Sequence, residues 1–347
     1  MSLVARQQSR LLCLLCQRQS RAFSTSYRQL AQKPENETAK TSSQRIADTA
    51  PTSGNGSPAT PWQDGIVAGV MRKPPSPLAS APRSYGKRVE KFTPTPLSRP
   101  IGLPYPPEPG QNTGIDTRTL KQRRDDFVDY DKHLQKRKYL VNKISRPYFR
   151  DWTNMEFHKG KTFIAPPGIF KSELSLYFPN LYGRTAVRRD SAPRDTTPAL
   201  RGRVSVVSVF SSLWAENQCK TFVSEEHHPA LLRVIAGSGG LAQHVQVNVE
   251  DNALKALLVK LSMGRIRKSL GAEGNHGKYF LVRRGISDEI RENIGLLNSR
   301  VGYTYLVDPE CKIRWAGSGN SEEHERAGLL KAVNRLLVDM REKKKEG

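Results

Sequence analysis

The C-terminal part of the chain, residues 203–347, alternates between strand-type and helix-type hydrophobic patterns. Five segments of it are short apolar or alternating runs: 203–211, 243–249, 278–282, 303–307 and 312–316. Each predicts a β-strand, because successive side chains of a strand point to opposite faces and a strand covered on both faces is apolar throughout. The last two runs are separated by a short polar turn and predict a hairpin.

Five other segments of the same part carry apolar residues at intervals of three and four, as helices do: 215–222, 229–235, 252–261, 287–298 and 321–344. Asp251 or Asn252, and Ser287, stand where a side chain can cap the first turn of a helix. Strands and helices together predict an α/β fold in which helices flank a central sheet. Their order, with a hairpin before the last helix, is the layout of a thioredoxin-like domain.

A basic amphipathic helix is predicted over residues 116–146. Its apolar residues recur at about every seventh position: Leu120, Phe127, Leu134 and Val141. Lysines and arginines occupy most of the remaining surface. Three uses of this helix stay open: packing on the C-terminal domain, contact with an anionic membrane leaflet, or binding of a partner protein. RNA binding is less favoured, because aromatic residues are not interleaved with the basic ones as stacking platforms.

Residues 147–202 predict an extended arm followed by a polar connector that begins at residue 184. Prolines and glycines interrupt any helix there, while aromatic residues indicate contact with a protein surface. We expect this arm to lie across a domain and to offer aromatic side chains to a partner. Candidate partner-binding residues lie in the basic helix, in the arm and just after the first strand of the domain. They are Leu120, Phe127, Leu134, Val141, Phe163, Phe170, Tyr177, Phe178 and Trp214.

The N-terminus has the composition of a mitochondrial presequence, with five arginines and no acidic residue in residues 1–28. Arg21-Ala22-Phe23-Ser24 resembles a matrix-processing site, so we expect a transit peptide of residues 1–23. The pair Cys13 and Cys16 has the spacing of a redox motif but is removed with this peptide. Residues 24–115 are rich in proline, serine and threonine and predict a disordered linker, because so little apolar surface does not offset the loss of chain entropy.

Composition and charge exclude several classes of protein. The chain has 347 residues, four cysteines and a formal net charge of +23. Its longest apolar run is far shorter than the ~20 residues that cross a bilayer, which excludes an integral membrane protein. Too few cysteines are present for a disulfide-rich secreted module. Residues 203–347 carry 22 basic and 17 acidic residues, so most of the excess charge precedes the predicted domain. We therefore expect no nucleic-acid partner.

Four blocks of the sequence carry a family resemblance: 161–183, which contains Leu176-Tyr-Phe-Pro-Asn-Leu-Tyr-Gly183, then 210–218, 285–303 and 305–319. They resemble the fungal mitochondrial ATP synthase assembly factors known as ATPase complex subunit ten. The resemblance implies a chaperone of the FO sector, associated with the matrix side of the mitochondrial inner membrane; the basic face of the predicted helix would hold it in peripheral contact with the anionic lipid of that leaflet. It implies as client the newly made proton-channel subunit, subunit a, which the chaperone helps to join the ring of c subunits.

A thiol-based function is the alternative. Cys219 follows the first strand of the domain, near the corner where thioredoxins and peroxiredoxins carry a reactive cysteine. At that place the helix dipole is expected to lower its pKa. Cys311 is a candidate resolving thiol, although it is distant in sequence. A mitochondrial thiol oxidoreductase or peroxidase that uses Cys219 therefore stays open beside the non-catalytic chaperone.

Other catalytic and ligand-binding patterns do not match. The loop Gly271–Lys278 resembles a phosphate-binding loop, but its spacing is one residue too long and Tyr279 replaces the Ser or Thr that would hold Mg²⁺. His227 and His228 have no cysteine or acidic residue at metal-ligand spacing. We therefore expect a protein that is not an enzyme and that uses no cofactor and no metal.

Overall fold

The computed structural model describes residues 77–84, 88–144, 149–188 and 192–346, all within one unit that spans residues 71–347. The predicted presequence with its two cysteines, and the first part of the predicted linker, lie outside the described residues. None of the described helices is both long enough and apolar enough to cross a lipid bilayer.

Seven strands form one mixed sheet. Along the chain they are β1 (Tyr182–Thr185), β2 (Pro193–Asp195), β3 (Val204–Phe210), β4 (Ala242–Val249), β5 (Tyr279–Val282), β6 (Tyr303–Val307) and β7 (Ile313–Ser318). Their spatial order is β2-β1-β5-β4-β3-β6-β7. Strands β3, β4 and β5 are parallel, β6 is antiparallel to β3, and β7 forms a hairpin with β6. The order β4-β3-β6-β7 with these directions is a thioredoxin-like core, which confirms the predicted fold class.

Helices connect and flank these strands. They are α1 (Leu120–Val128), α2 (Tyr130–Ile144), α3 (Arg150–Asn154), α4 (Thr197–Leu200), α5 (Leu213–Phe222), α6 (Pro229–Ala236), α7 (Ala253–Leu261), α8 (Met263–Leu270), α9 (Asp288–Asn293) and α10 (Glu323–Glu346). Ser212, Asn252 and Ser287 cap α5, α7 and α9 by accepting hydrogen bonds from first-turn backbone N–H groups. The cap at Ser287 is the predicted one, and of the two predicted candidates for α7, Asp251 and Asn252, it is Asn252 that caps the helix. Helix α9 ends earlier than predicted, before Gly295 at a φ of 75°.

The two faces of the sheet are covered by different parts of the chain. On one face Val207 and Val209 of β3 pack in a cluster that also includes residues from before and within the arm: Leu78, Leu97, Ile101, Phe163 and Phe178. On the opposite face Val204 and Val206 pack against side chains of α5, α6 and α10. Phe210 on that same face packs with α5 and α8. The core therefore needs the N-terminal segment and the arm to cover one side of the sheet.

The predicted boundaries of the linker and the arm are wrong. Residues 88–115 are not a disordered linker, because Leu97 and Leu103 are buried. Leu97 donates its N–H to the carbonyl of Ile164, and Leu103 and Tyr177 exchange two backbone hydrogen bonds. The arm and connector of 147–202 are part of the domain as well, since they contain β1 and β2 at one edge of the sheet.

The helix predicted over 116–146 is in fact two helices. Asp129 between α1 and α2 has an extended backbone, with φ −68° and ψ 112°. Its carboxylate accepts hydrogen bonds from the N–H groups of Asp131 and Lys132, at 3.1 and 3.3 Å. Aspartate is a preferred residue at the start of a helix for this reason. The chain therefore starts a second helix at Tyr130, and the predicted end before Pro147 lies outside the described residues.

Candidate functional site

The corner between β3 and α5 is where a redox-active thioredoxin-like domain holds its thiol at a helix start. In this chain the corner is made by Ser211 and Ser212. Ser211 donates its hydroxyl to the carbonyl of Ser299, in the loop before β6. The hydroxyl of Ser212 accepts the N–H of Ala215 at 3.2 Å. Both serines therefore hold the corner and the adjacent loop in place.

Cys219 lies beyond the first turn of α5 and is buried. Its Sγ donates to the carbonyl of Tyr303 at 3.5 Å and lies 3.7 Å from the carbonyl oxygen of Val209. Burial raises the pKa of the thiol to about 12, because the charged form is poorly solvated there. The expectation of a lowered pKa is wrong, and the site does not suit a thiolate nucleophile.

Gly302 closes the space above Cys219. A Cβ at this position would lie 2.8 Å from the Cys219 Sγ, closer than real Cβ contacts come. The Gly302 N–H donates to the Gln218 side chain at 2.9 Å, and that side chain donates to the carbonyl of Lys159 at 3.0 Å. The loop before β6 is thus fixed directly on α5, over the sulfur that a substrate would have to reach.

Cys311 does not pair with Cys219. It is buried in the turn between β6 and β7 and packs in the cluster of Val207 and Phe178 on one face of the sheet. Cys219 packs with Phe210 on the opposite face. Both thiols are free, and burial raises the pKa of Cys311 to about 11. The structure therefore does not bring the two predicted redox residues together.

A half-buried histidine, which the sequence analysis missed, lies on the same face of the sheet as Cys219. His244 Nε2 is 3.0 Å from the Ser208 hydroxyl. Burial lowers the pKa of His244 to about 4, so the imidazole is neutral at physiological pH. The alternation of β4, in which His244 takes a polar position, is the signal that could have located it. Within the described part of the chain, no three His, Cys, Asp or Glu side chains gather as a metal-binding group.

Apolar side chains of α1 and α2 project into solvent. Leu120 is 83% exposed and Phe127 is 70% exposed, while Val141 is exposed and Leu134 is half-buried. The Phe127 ring meets the His133 ring edge-on, with centroids 5.7 Å apart. Packing of this stripe on the C-terminal domain, one of the three uses considered, is therefore not observed. The other two uses stay open.

Ion pairs join the segment before α1 to α1, and α1 to α2. Arg118 pairs with Asp116 at 2.8 Å and with Asp126 at 2.7 Å, and Lys132 pairs with Asp126 at 2.7 Å. Hydrogen bonds from Arg118 and Lys132 hold the pKa of these two carboxyl groups below the usual range. Part of the basic charge of α1 and α2 is thus neutralised locally.

The aromatic residues of the arm belong to the core or to its border. Phe163 and Phe178 are fully buried, and Phe178 meets the Tyr305 ring at 5.6 Å between centroids. Phe170 and Tyr177 are half-buried, and Lys312 Nζ lies 5.6 Å from the Tyr177 ring. The prediction that Phe163 and Phe178 bind a partner is wrong, because these side chains fill the space between arm and sheet.

Trp214 is the one candidate within the predicted domain of residues 203–347, and it lies next to the corner between β3 and α5. Together with Leu213 it forms the first turn of α5 and is about half exposed. Ala215 and Cys219, which follow, face the core. Trp214 therefore stays a candidate binding residue beside the stripe of α1 and α2.

Comparison with known proteins gives one family. The family model described as "ATP10 protein" matches residues 83–336. The "Mitochondrial ATPase complex subunit ATP10" of Eremothecium gossypii is 30% identical over 266 residues, which cover 76% of this chain and 91% of that protein. The protein of the same name from Saccharomyces cerevisiae is 29% identical over 249 residues, which cover 69% of this chain and 86% of that protein.

Solved structures are similar at low sequence identity. A secreted thiol-disulfide isomerase from Corynebacterium glutamicum has a TM-score of 0.34 and 8% identity, covering 49% of this chain and 90% of that chain. A thiol:disulfide interchange protein of the thioredoxin family from Chlorobium tepidum has a TM-score of 0.29 and 15% identity, covering 47% of this chain and 97% of that chain. The thioredoxin-like assignment of this chain rests on its strand order and directions.

Proposed function

Because the chain belongs to the ATP10 protein family, we propose that it is a non-catalytic assembly factor for the mitochondrial ATPase complex. The observation that carries this proposal beyond the family is the exposed apolar stripe of α1 and α2, led by Leu120 and Phe127. Large apolar side chains that a folded domain leaves exposed on neighbouring helices suit the binding of an apolar partner. A factor that shields an apolar subunit before assembly needs such a surface.

The client in this proposal is newly made subunit a of the FO sector, and the c-ring is the structure that this subunit joins. A proton-channel subunit is apolar wherever it faces lipid. Before it meets the c-ring, that surface requires cover from water and from other unassembled chains. Phe127, Leu120 and Val141 supply apolar contacts for this purpose, while the surrounding lysines and arginines keep the free factor soluble.

Two features support a role without thiol chemistry. Cys219 is buried with a raised pKa, and Cys311 lies on the other face of the sheet. A dithiol mechanism requires two sulfurs within reach of each other and one of them as a thiolate. The thiol oxidoreductase or peroxidase alternative therefore has less support than the assembly role.

The location that we propose is the matrix side of the inner membrane, with residues 1–23 as the import signal. The relatives bear the word mitochondrial in their names, and the N-terminus is rich in arginine and free of acidic residues. Basic residues on α1 and α2 suit peripheral contact with an anionic leaflet.

The test replaces two residues of the stripe in the full chain, Leu120→Gln together with Phe127→Gln. Since both side chains are exposed, we expect the thermal unfolding of the domain to stay the same. In mitochondria that carry only this variant, we expect faster loss of newly labelled subunit a and less oligomycin-sensitive ATPase. The matched control is Val338→Gln, which changes an exposed apolar residue of α10. We expect it to leave the lifetime of subunit a and the oligomycin-sensitive ATPase unchanged. Normal assembly with the double variant contradicts the proposal.

A further inference from the structure

Helix α7 turns its larger apolar face to solvent. Leu254, Leu257, Leu258 and Leu261 are 67, 49, 56 and 74% exposed. The side toward the sheet is made of smaller residues, with Ala256 buried and Val259 half-buried. Leucines at spacings of three and four share one face of a helix. Four neighbouring exposed leucines form an apolar patch, which indicates a binding surface rather than scattered surface residues.

The outward face of α7 continues into α8 and becomes cationic there. Ser262 joins the two helices with φ −80° and ψ 2°. Its N–H donates to the carbonyl of Leu258 at 2.9 Å, and its own carbonyl accepts the N–H of Ile266 at 3.1 Å. Helical spacing therefore carries across the junction, and exposed Arg265 and Lys268 follow Leu261 on the same side.

The charge of this segment has a single sign. Residues 252–272 contain five basic residues and no acidic one: Lys255, Lys260, Arg265, Arg267 and Lys268. Within the part of the chain that the structure describes, none of them forms an ion pair within 4 Å of a carboxylate, although Lys255 interacts electrostatically with Glu250. Around α1 and α2, by contrast, Arg118 just before α1 and Lys132 of α2 are paired with aspartates. The cations of α7 and α8 are thus available to an external anion.

A shallow basic pocket opens beside Arg265. Its charged lining is Arg188, Arg265, Arg267 and Lys268, with one carboxylate from Glu273 and the ring of His276. The Arg267 side chain is held by its Nε–H, which donates to the carbonyl of Ala186 at 2.6 Å. The His276 Nε2 is buried and has no hydrogen-bond partner among the described residues. The held Arg267 guanidinium and the exposed Arg265 and Lys268 beside it suit a phosphate group.

We propose that α7 and α8 form a docking surface for a bilayer of anionic phospholipids. The leucines of α7 enter the boundary between headgroups and acyl chains, and Arg265, Lys268 and the basic pocket contact lipid phosphates. Charge complementarity selects this occupant, because the cations of this surface outnumber its one lining carboxylate, Glu273, and so match a negative surface. The surface is distinct from the stripe of α1 and α2, so one molecule can hold a membrane and a client together.

The test measures how the full chain partitions onto vesicles of phosphatidylcholine mixed with cardiolipin, with phosphatidylcholine alone as reference. Arg265→Gln with Lys268→Gln is expected to weaken binding to the anionic vesicles about 30-fold, since each basic residue near such a surface contributes about 1 kcal/mol. The matched control is Lys331→Gln with Arg335→Gln, two exposed basic residues of α10, which leaves the partition coefficient unchanged. Equal losses in both pairs overturn the proposal.

A second pair keeps the charge and removes the apolar contact. Leu258→Gln with Leu261→Gln is expected to weaken binding to the anionic vesicles at low and at high salt, with unchanged thermal unfolding because both residues are exposed. Wild-type partition of this pair overturns the proposal. If this pair binds vesicles as the wild type does but loses crosslinks to newly made mitochondrial proteins, the face binds a protein partner and the proposal is also overturned. Vesicle binding needs no client, so a failure here leaves the assembly role untouched.

Discussion

Lys161 of the arm and Glu325 of α10 form a buried ion pair, with Nζ 2.7 Å from Oε2. Their side chains are only 7 and 0% exposed. Further hydrogen bonds satisfy both groups: Glu325 Oε1 accepts the N–H of Ala165 at 2.8 Å, and Lys161 Nζ donates to the carbonyl of Asn320 at 3.0 Å. A buried pair of this kind is tolerated only with such partners. It fastens the arm to the last helix of the domain.

Removal of one partner from this pair should be costly. In Lys161→Met the Glu325 carboxylate stays buried without its cation, and we expect the free energy of unfolding to fall by about 3–5 kcal/mol. Urea denaturation followed by circular dichroism measures it. The control, Lys220→Met, breaks an exposed pair with Glu216 in α5 and should cost less than about 1 kcal/mol. Equal effects of the two variants would mean that the arm is not anchored by this pair.

Gly302 should not tolerate a side chain. In Gly302→Ala the new methyl group meets the Cys219 sulfur and the backbone of Ala215, and we expect a loss of about 1–3 kcal/mol from overpacking. Gly168→Ala is the matched change, because a Cβ there has no atom within 4 Å. Denaturation midpoints of the two variants compare them directly. A stable Gly302→Ala protein would show that the loop is free to move away from α5.

The two domain thiols should be inert in the folded protein. With Cys13 and Cys16 replaced by serine, we expect Cys219 and Cys311 to react with a thiol reagent only as fast as the chain unfolds. The reason is that burial raises the pKa of both thiols, to about 12 and about 11. Cys219→Ala should support respiratory growth. Fast labelling of the native chain, or growth that depends on Cys219, would favour the oxidoreductase alternative.

Stability should fall on acidification through His244. Its pKa is about 4 in the folded chain against 6.5 for the free group, so the unfolded chain binds a proton in this window that the folded chain does not. The free energy of unfolding therefore decreases by up to about 1.4 kcal/mol per unit as pH drops from 6.5 towards 4. Urea denaturation across this range measures the slope. We expect a flatter slope for His244→Gln and an unchanged slope for the exposed His324→Gln.

Local pattern predicts the domain from β3 onward because its strands and helices alternate with clear periods. The β-branched run of Val204–Phe210 and the hairpin of β6 and β7 are examples in which the elements follow directly from the sequence. The segment before the arm carries no such period. Leu97 and Leu103 stand singly among prolines. The backbone groups to which they hydrogen-bond belong to Ile164 and Tyr177 of the arm, more than sixty residues later in the sequence. No local rule identifies such partners.

The candidate site was predictable only in part for a related reason. An aromatic residue in an extended segment looks the same whether it covers a partner or is itself covered. Leu120 and Phe127 are exposed, whereas Phe163 and Phe178 are buried, and only the tertiary structure separates the two cases. The sequence predicts that Cys219 lies in the helix that follows β3. It does not predict the pKa of the thiol, which depends on burial under Gly302 and β6.

The assembly role is tested most directly by a photocrosslinker placed at Phe127. The full chain with benzoylphenylalanine at that position is expressed in mitochondria, illuminated during labelled translation, and its adducts are identified with antibody to subunit a. Because Phe127 is exposed in the stripe, we expect one main adduct, with newly made subunit a, and none from the same crosslinker at Val338 of α10. The absence of a subunit a adduct at Phe127, or equal adducts at both positions, would contradict the assembly role.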